Sequence, residues 1–261
     1  MNAPIDMHVR PSGRLYLYAI GQASLTVPDG VAGLAEAPLA LVRAGELAAV
    51  VSAPPGARFR PERRHLAAHQ AVLRALASIE SSLPVSFGTV LPSRERLVNV
   101  LTSERATLAE QLARIAGRVE MSLRLGWDVP DVFRHLVELE PELRRARDTM
   151  LASGGAHASK VAAGQLFEQL LGAHRAAAAH TLTEALSPQC AELVQETPRQ
   201  PAELARLALL VDRENLADLE SAVHAVAGRY DGTYRFDYSG PWAPHSFVSL
   251  SLSPDELAEA A

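Results

Sequence analysis

Lysine is nearly missing from this 261-residue chain: Lys160 is the only one, and the other basic residues are arginines. Cysteine is as scarce, with Cys190 alone. One cysteine excludes a disulfide framework and a thiolate-rich metal site, and it fits a reducing cytoplasm. An excess of positive charge is also lacking: the formal net charge is -5 at pH 7. Neutralising a polyanion takes clustered Lys and Arg in excess, so the composition argues against nucleic acid as a partner. Long apolar runs are absent too. Glu36, Arg43 and Glu46 interrupt the most hydrophobic region, which leaves no membrane span. Asp6, Arg10 and Pro11 stand where a signal peptide needs continuous apolar sequence, so residues 1–12 read as a loose tail. No repeat of fixed period appears, which excludes a solenoid.

Catalytic signatures are missing as well. There is no Gly-rich phosphate loop and no G-x-S-x-G elbow, so nucleotide and serine-hydrolase chemistry have no anchor. His65 and His69 stand at i and i+4, but "HLAAH" lacks the glutamate of a zincin, and His69 shares a stripe with Val72 and Leu76. A packed histidine accounts for that pattern without a metal. Glu138, Glu140 and Glu142 are followed by Arg144, Arg145 and Arg147 within helical reach, which makes solvated ion pairs. Cys190 has no histidine near it in sequence and reads as a small buried hydrophobe. Asp212, Arg213 and Glu214 read as a helix cap and first-turn charges. No catalytic, cofactor or metal residue is therefore assigned.

What is present is a folding pattern. A hydrophobic fraction of 48% against 21% charged residues belongs to a globular protein. "GRLYLYAIGQ" predicts a central strand, with Leu15, Leu17 and Ala19 on one face and Tyr16, Tyr18 and Ile20 on the other. "PLALVRAGELAAVVSAPP" predicts a hairpin turning between Arg43 and Glu46. Residues 61–80 predict a helix with the stripe Leu66, Val72, Leu73, Leu76 and Ile79. "LPVSFGTVL" reads as a strand, and a second helix runs from an N-cap at Ser93 to a stop at Gly117. "RVEMSLRLGW" alternates as a half-buried strand.

After Asp128 the pattern turns helical, with a break at Pro141 and a Gly154-Gly155 turn before an Ala-rich helix over about 159–185. A short strand at 190–197, a strand at 207–211, a helix from Leu216 to a stop at Gly228 and the strand "TYRFDY" complete it. Gly240 and Pro241 predict that this last strand stops just past Tyr238. Helix, strand, strand, helix, strand is most of a ferredoxin-like split unit. The fold class is α+β, divided into 1–12 as tail, 13–128 as an N-terminal α+β domain and 129–261 as a C-terminal helical, ferredoxin-like domain.

Taken in order, "LYLYAI" (15–20), "LAAVVS" (47–52), His69, "LPVSFGTVL" (83–91), "GRVEMSLRL" (117–125), "LALLVDR" (207–213) and "SGPWAPHSFV" (239–248) resemble the gas vesicle protein GvpL/GvpF family. Their order, their spacing and the closing Gly-Pro-Trp segment carry the resemblance. The family's closing motif resembles G-P-W-P-P-Y-S-F, from which Ala243 and His245 depart. The resemblance implies a modified ferredoxin-like N-terminal domain and a ferredoxin-like C-terminal domain with a long helix. It implies an accessory or minor structural role in gas vesicle formation, in the cytoplasm, through contact with the small hydrophobic shell protein and with other accessory proteins. It brings no reaction and no cofactor.

Candidate contact residues are Leu166, Phe167 and Leu170 on the Ala-rich helix, Tyr238 on the last strand, and Trp242 and Phe247 in the aromatic loop. Ordinary core packing would explain the helix equally. Trp242 and Phe247 have apolar area either to fold back as a plug or to present to a partner. A small-ligand enzyme or sensor is the competing class, since ferredoxin-like sheets host many functions.

Overall fold

Leu15–Gln22 forms β1, in which every residue but the last is buried. The computed structural model describes residues 13–56 and 59–250, so the expected tail at 1–12 lies outside the described residues. Two compact units make up the chain: one holds residues up to Glu120 together with those from Pro241 onward, the other Met121–Gly240. The sequence placed one boundary at 128/129 and kept the C-terminal residues with the second domain. Contacts divide the chain within a strand and group the closing segment with the first unit.

In the first unit, β2 (Ala40–Ala44) and β3 (Leu47–Ser52) make the expected hairpin. Gly45 takes φ +59° in its turn, which a side-chain-bearing residue resists. β3 pairs antiparallel with β1, and β4 (Leu83–Pro84) and β5 (Val90–Leu91) also pair with β1. The expected continuous strand at 83–91 is thus broken. Gly88, at φ +94°, swings the chain out, while Val85 N–H donates to the Tyr18 carbonyl and Leu17 N–H to that of Thr89.

The register of β1 against β3 slips by one residue between Leu17 and Ala19. That bulge reverses the alternation, so Ala19 joins Tyr16 and Tyr18 in one cluster with Val72, Leu73 and Leu76. Those last three come from α1 (Arg63–Ile79), whose buried stripe is His65, His69, Val72, Leu73 and Leu76. Leu66 and Ile79, expected inside, are exposed. The second helix starts at Ser93, whose hydroxyl accepts from Arg96 N–H, but breaks at Glu104 into α2 (Arg94–Ser103) and α3 (Arg105–Ile115).

The second unit contains an antiparallel pair, β7 (Glu192–Glu196) with β8 (Glu203–Asp212), in a sheet ordered β7-β8-β6-β9. Here β6 is Arg118–Trp127 and β9 is Tyr234–Trp242. Gly126 in β6 is required by packing, because a Cβ there would lie 2.8 Å from the Ala202 carbonyl oxygen. β9 does not stop after Tyr238: it runs through Gly240 and Pro241 to Trp242, with Gly240 at φ +140° supplying a backbone angle that L-residues rarely adopt.

Four helices accompany this sheet. α4 (Val132–Leu139) is capped by the Asp131 carboxylate, and α5 (Pro141–Ala152) begins at the predicted proline. α6 (His157–Leu186) is the long Ala-rich helix, and α7 is Leu216–Ala227. Met121, Leu123, Leu125 and Trp127 of β6 pack with Leu171, Leu182, Leu186, Leu219 and Val223 in one buried core.

Candidate functional site

The closing segment is built into the first unit by both packing and hydrogen bonds. Ala243 and Phe247 are buried, the former in the cluster formed around Tyr16 and Tyr18. A short 3-10 turn, His245–Phe247, aims the phenylalanine inward. The Glu120 carboxylate accepts from Ser246 N–H at 2.8 Å and from the Ser246 hydroxyl at 3.0 Å. The Gln111 side-chain amide holds Ser249 from both sides, accepting from its N–H and donating to its carbonyl, each at 3.0 Å. The Arg114 guanidinium donates to the Phe247 carbonyl. Trp242 is half-buried, with the Arg74 guanidinium 4.9 Å from its ring centroid.

Beneath α1 lies a buried polar and aromatic cluster. The Tyr16 hydroxyl accepts from Gly88 N–H at 3.1 Å and stands 2.9 Å from His69 Nδ1. Tyr18 accepts from Leu34 N–H at 2.7 Å and meets the Ser52 hydroxyl at 2.9 Å, while Ser52 donates to the Ala53 carbonyl. Phe59 and Phe87 close the aromatic shell. Burial pushes His69 down to about 4, with nearby His245 acting the same way and the Val85 backbone opposing. Burial raises both tyrosines. Tyr16, Tyr18, Ser52 and His69 are buried and Phe59 and Phe87 half-buried beside them, so these groups fix packing beneath α1.

His65 and His69 have separate partners: His65 Nδ1 lies 3.2 Å from the Arg60 carbonyl, and His69 meets Tyr16. Among the described residues no three His, Cys, Asp or Glu side chains converge as a metal site. Burial pushes the Cys190 thiol up to about 11, where it is protonated and weakly nucleophilic.

In the second unit, Leu166, Phe167 and Leu170 are half-buried against its core, and so is Tyr238. Burial, followed by the charge of Glu220, pushes Tyr238 up to about 12. Phe133 on α4, 42% exposed, meets Phe167 with ring centroids 5.4 Å apart. This exposed aromatic was not singled out in the sequence, since its neighbours are mixed and nothing marks it off from an ordinary amphipathic helix. The anchors Gln111, Arg114 and Glu120 were missed for a different reason: their partners lie more than a hundred residues away. Among the described residues no helix is long and apolar enough to cross a membrane.

The model of the family described as "Gas vesicle synthesis protein GvpL/GvpF" matches residues 14–249. Gas vesicle protein F of Streptomyces sp. (strain CB03234) is 28% identical, over 89% of this chain and 98% of that protein. Two crystal structures share the fold, both at 24% identity. That of GvpF from Anabaena sp. PCC7120 has TM-score 0.77 and covers 92% of this chain and 100% of its own. That of GvpF from Microcystis aeruginosa has TM-score 0.76, with 91% and 99% covered.

Proposed function

The chain belongs to the GvpL/GvpF family of gas vesicle synthesis proteins, and on that premise we propose that it is a non-enzymatic accessory or minor structural protein which binds the small hydrophobic shell protein in the cytoplasm. The observation that carries this reading is the extent of the match, residues 14–249, which takes in both units and the closing segment. The physical need is plain. A shell that holds gas exposes an apolar face to it, so its subunit is prone to aggregate before assembly and requires a partner that covers or templates that face.

The second unit has the chain order β6-α6-β7-β8-α7-β9 and the sheet order β7-β8-β6-β9. That order supports a ferredoxin-like domain with α4 and α5 inserted before its first helix. A modified ferredoxin-like first domain remains part of the same proposal. For the contact itself, the exposed Phe133 with half-buried Phe167, Leu166 and Leu170 supplies one apolar strip, and Trp242 a second.

The test is capture of the shell protein from solution by the purified, immobilised chain, which the reading expects. Phe133→Asp with Phe167→Ser should abolish capture through the first strip and Trp242→Ala through the second, while Glu184→Ala on an exposed helical position should leave it intact. Capture unchanged in both apolar variants refutes these surfaces, and no capture by the parent chain refutes the partner. Washing isolated vesicles then separates the two roles: a structural protein stays with the shell, an assembly factor does not.

A further inference from the structure

Hydrogen bonds to residues 246–249 share an unusual form: side chains of the first unit reach the backbone of the closing segment. The Glu120 carboxylate takes Ser246 N–H, Arg114 takes the Phe247 carbonyl, and one Gln111 amide takes both the N–H and the carbonyl of Ser249. A side-chain amide bidentate on one residue's main chain fixes that residue's backbone whatever its side chain, and pockets for neighbouring side chains add selectivity. Here the pockets take Ala243 and Phe247, and Arg74 lies over Trp242. The polar anchors of the seat lie between Arg74 and Glu120 and the Ala243 pocket includes Tyr16 and Tyr18, while the occupant arrives after the whole of the second unit.

The junction is Gly240 at φ +140° followed by Pro241. Glycine reaches other backbone angles at little cost, so this residue can redirect the segment without strain elsewhere.

We infer that residues 241–250 form a releasable latch, and that the seat formed by Arg74, Gln111, Arg114 and Glu120 is a peptide-recognition site that takes the same segment from a second copy of this chain. The occupant is fixed by what already sits there: the Trp-Ala-Pro-His-Ser-Phe sequence fits the pockets, and a second copy carries it unaltered. Tethering gives the chain's own latch an effective concentration in the millimolar range, so exchange is minor until that latch is weakened or the protein is concentrated.

Two measurements on the full-length protein test this. In native-state hydrogen exchange, the Ser246 and Ser249 amides exchange at least a hundredfold faster than those of β1, through an opening confined to the latch. Exchange at the rate of β1 overturns release. In the second, a fluorescent peptide of residues 239–250 is titrated onto the parent chain and onto Phe247→Ala, whose own latch is loosened. The variant binds the peptide at least tenfold more tightly than the parent, and adding Gln111→Ala removes that gain. Equal binding by parent and variant, or a gain indifferent to Gln111, overturns the seat. Circular dichroism confirms that each variant is folded. Should Phe247→Ala fail that check, Ser246→Pro, which deletes the amide donated to Glu120, replaces it with the same expected gain.

Discussion

The Tyr16 hydroxyl and His69 Nδ1 meet 2.9 Å apart inside the first unit, one from β1 and the other from α1. Gly88 N–H donates to the same tyrosine oxygen, and the neutral imidazole that burial favours can accept the tyrosine hydroxyl's hydrogen bond at Nδ1. Protonating His69 breaks this arrangement, because a ring nitrogen carrying hydrogen cannot accept.

Stability therefore falls in mild acid. The folded imidazole titrates at about 4 against 6.5 in the unfolded chain. Between those values the unfolded chain binds the extra proton, so stability declines as pH drops through the window. The loss on reaching pH 4 is on the order of 3 kcal/mol. Urea denaturation at pH 7 and pH 4.5 reads it, and His69→Leu flattens the drop relative to the parent. An equal drop in both proteins contradicts it.

Gly33 and Tyr18 should prove energetically coupled. A Cβ at position 33 would lie 2.4 Å from the Tyr18 hydroxyl oxygen. Gly33→Ala should cost about 2–3 kcal/mol, as overpacking does. Tyr18→Phe alone should cost about 1–3 kcal/mol by stranding Leu34 N–H. The double variant should lose less than the sum, with a coupling of about 1 kcal/mol in a denaturation cycle. Strict additivity would remove the contact from the explanation.

Glu120→Ala removes the carboxylate that accepts from the Ser246 N–H and hydroxyl, and losing a hydrogen bond to a charged acceptor costs about 1.5–3 kcal/mol. The fluorescence of Trp242 should shift to the red as the segment loosens, while the far-ultraviolet spectrum stays unchanged. Loss of helix signal instead would mean that Glu120 supports the whole unit.

Cys190 should react slowly. With its thiol pushed to about 11, the thiolate fraction at pH 8 is on the order of a hundredfold below that of a free cysteine. A chromogenic disulfide reagent will label the native protein slowly and the guanidinium-unfolded protein within seconds. Fast native labelling would show an accessible, activated thiol.

Local patterns carried most of the elements into the sequence reading. Pro141, the Gly154-Gly155 turn, the Ser93 cap and the alternation of β6 are each decided by neighbours within a few residues. What failed was long-range. No local signal marks the bulge that moves Ala19 to the tyrosine face. Gly240 and Pro241 looked like a strand stop, yet β9 continues to Trp242 because a glycine angle permits it and a partner strand is at hand. His65 replaces Leu66 in the buried stripe because Arg60 offers its carbonyl, and that carbonyl is invisible until the chain is folded. Of the contact residues read from sequence, Phe247 is buried, Trp242 half-buried, and Leu166, Phe167 and Leu170 line their own core. The groups that hold the closing segment could be found only by pairing residues across more than a hundred positions.

That separation sets a timetable for the newborn chain. Glu120 leaves the ribosome 126 residues ahead of Ser246, a delay of roughly 6 to 25 s at elongation rates of about 5–20 residues per second. Throughout that interval the earlier-made unit stands with the pocket for Phe247 unfilled while the later-made one is already emerging. Vectorial synthesis thus completes the first unit after the second, and a pause or premature stop within codons 241–250 would damage the opening half of the protein more than the middle.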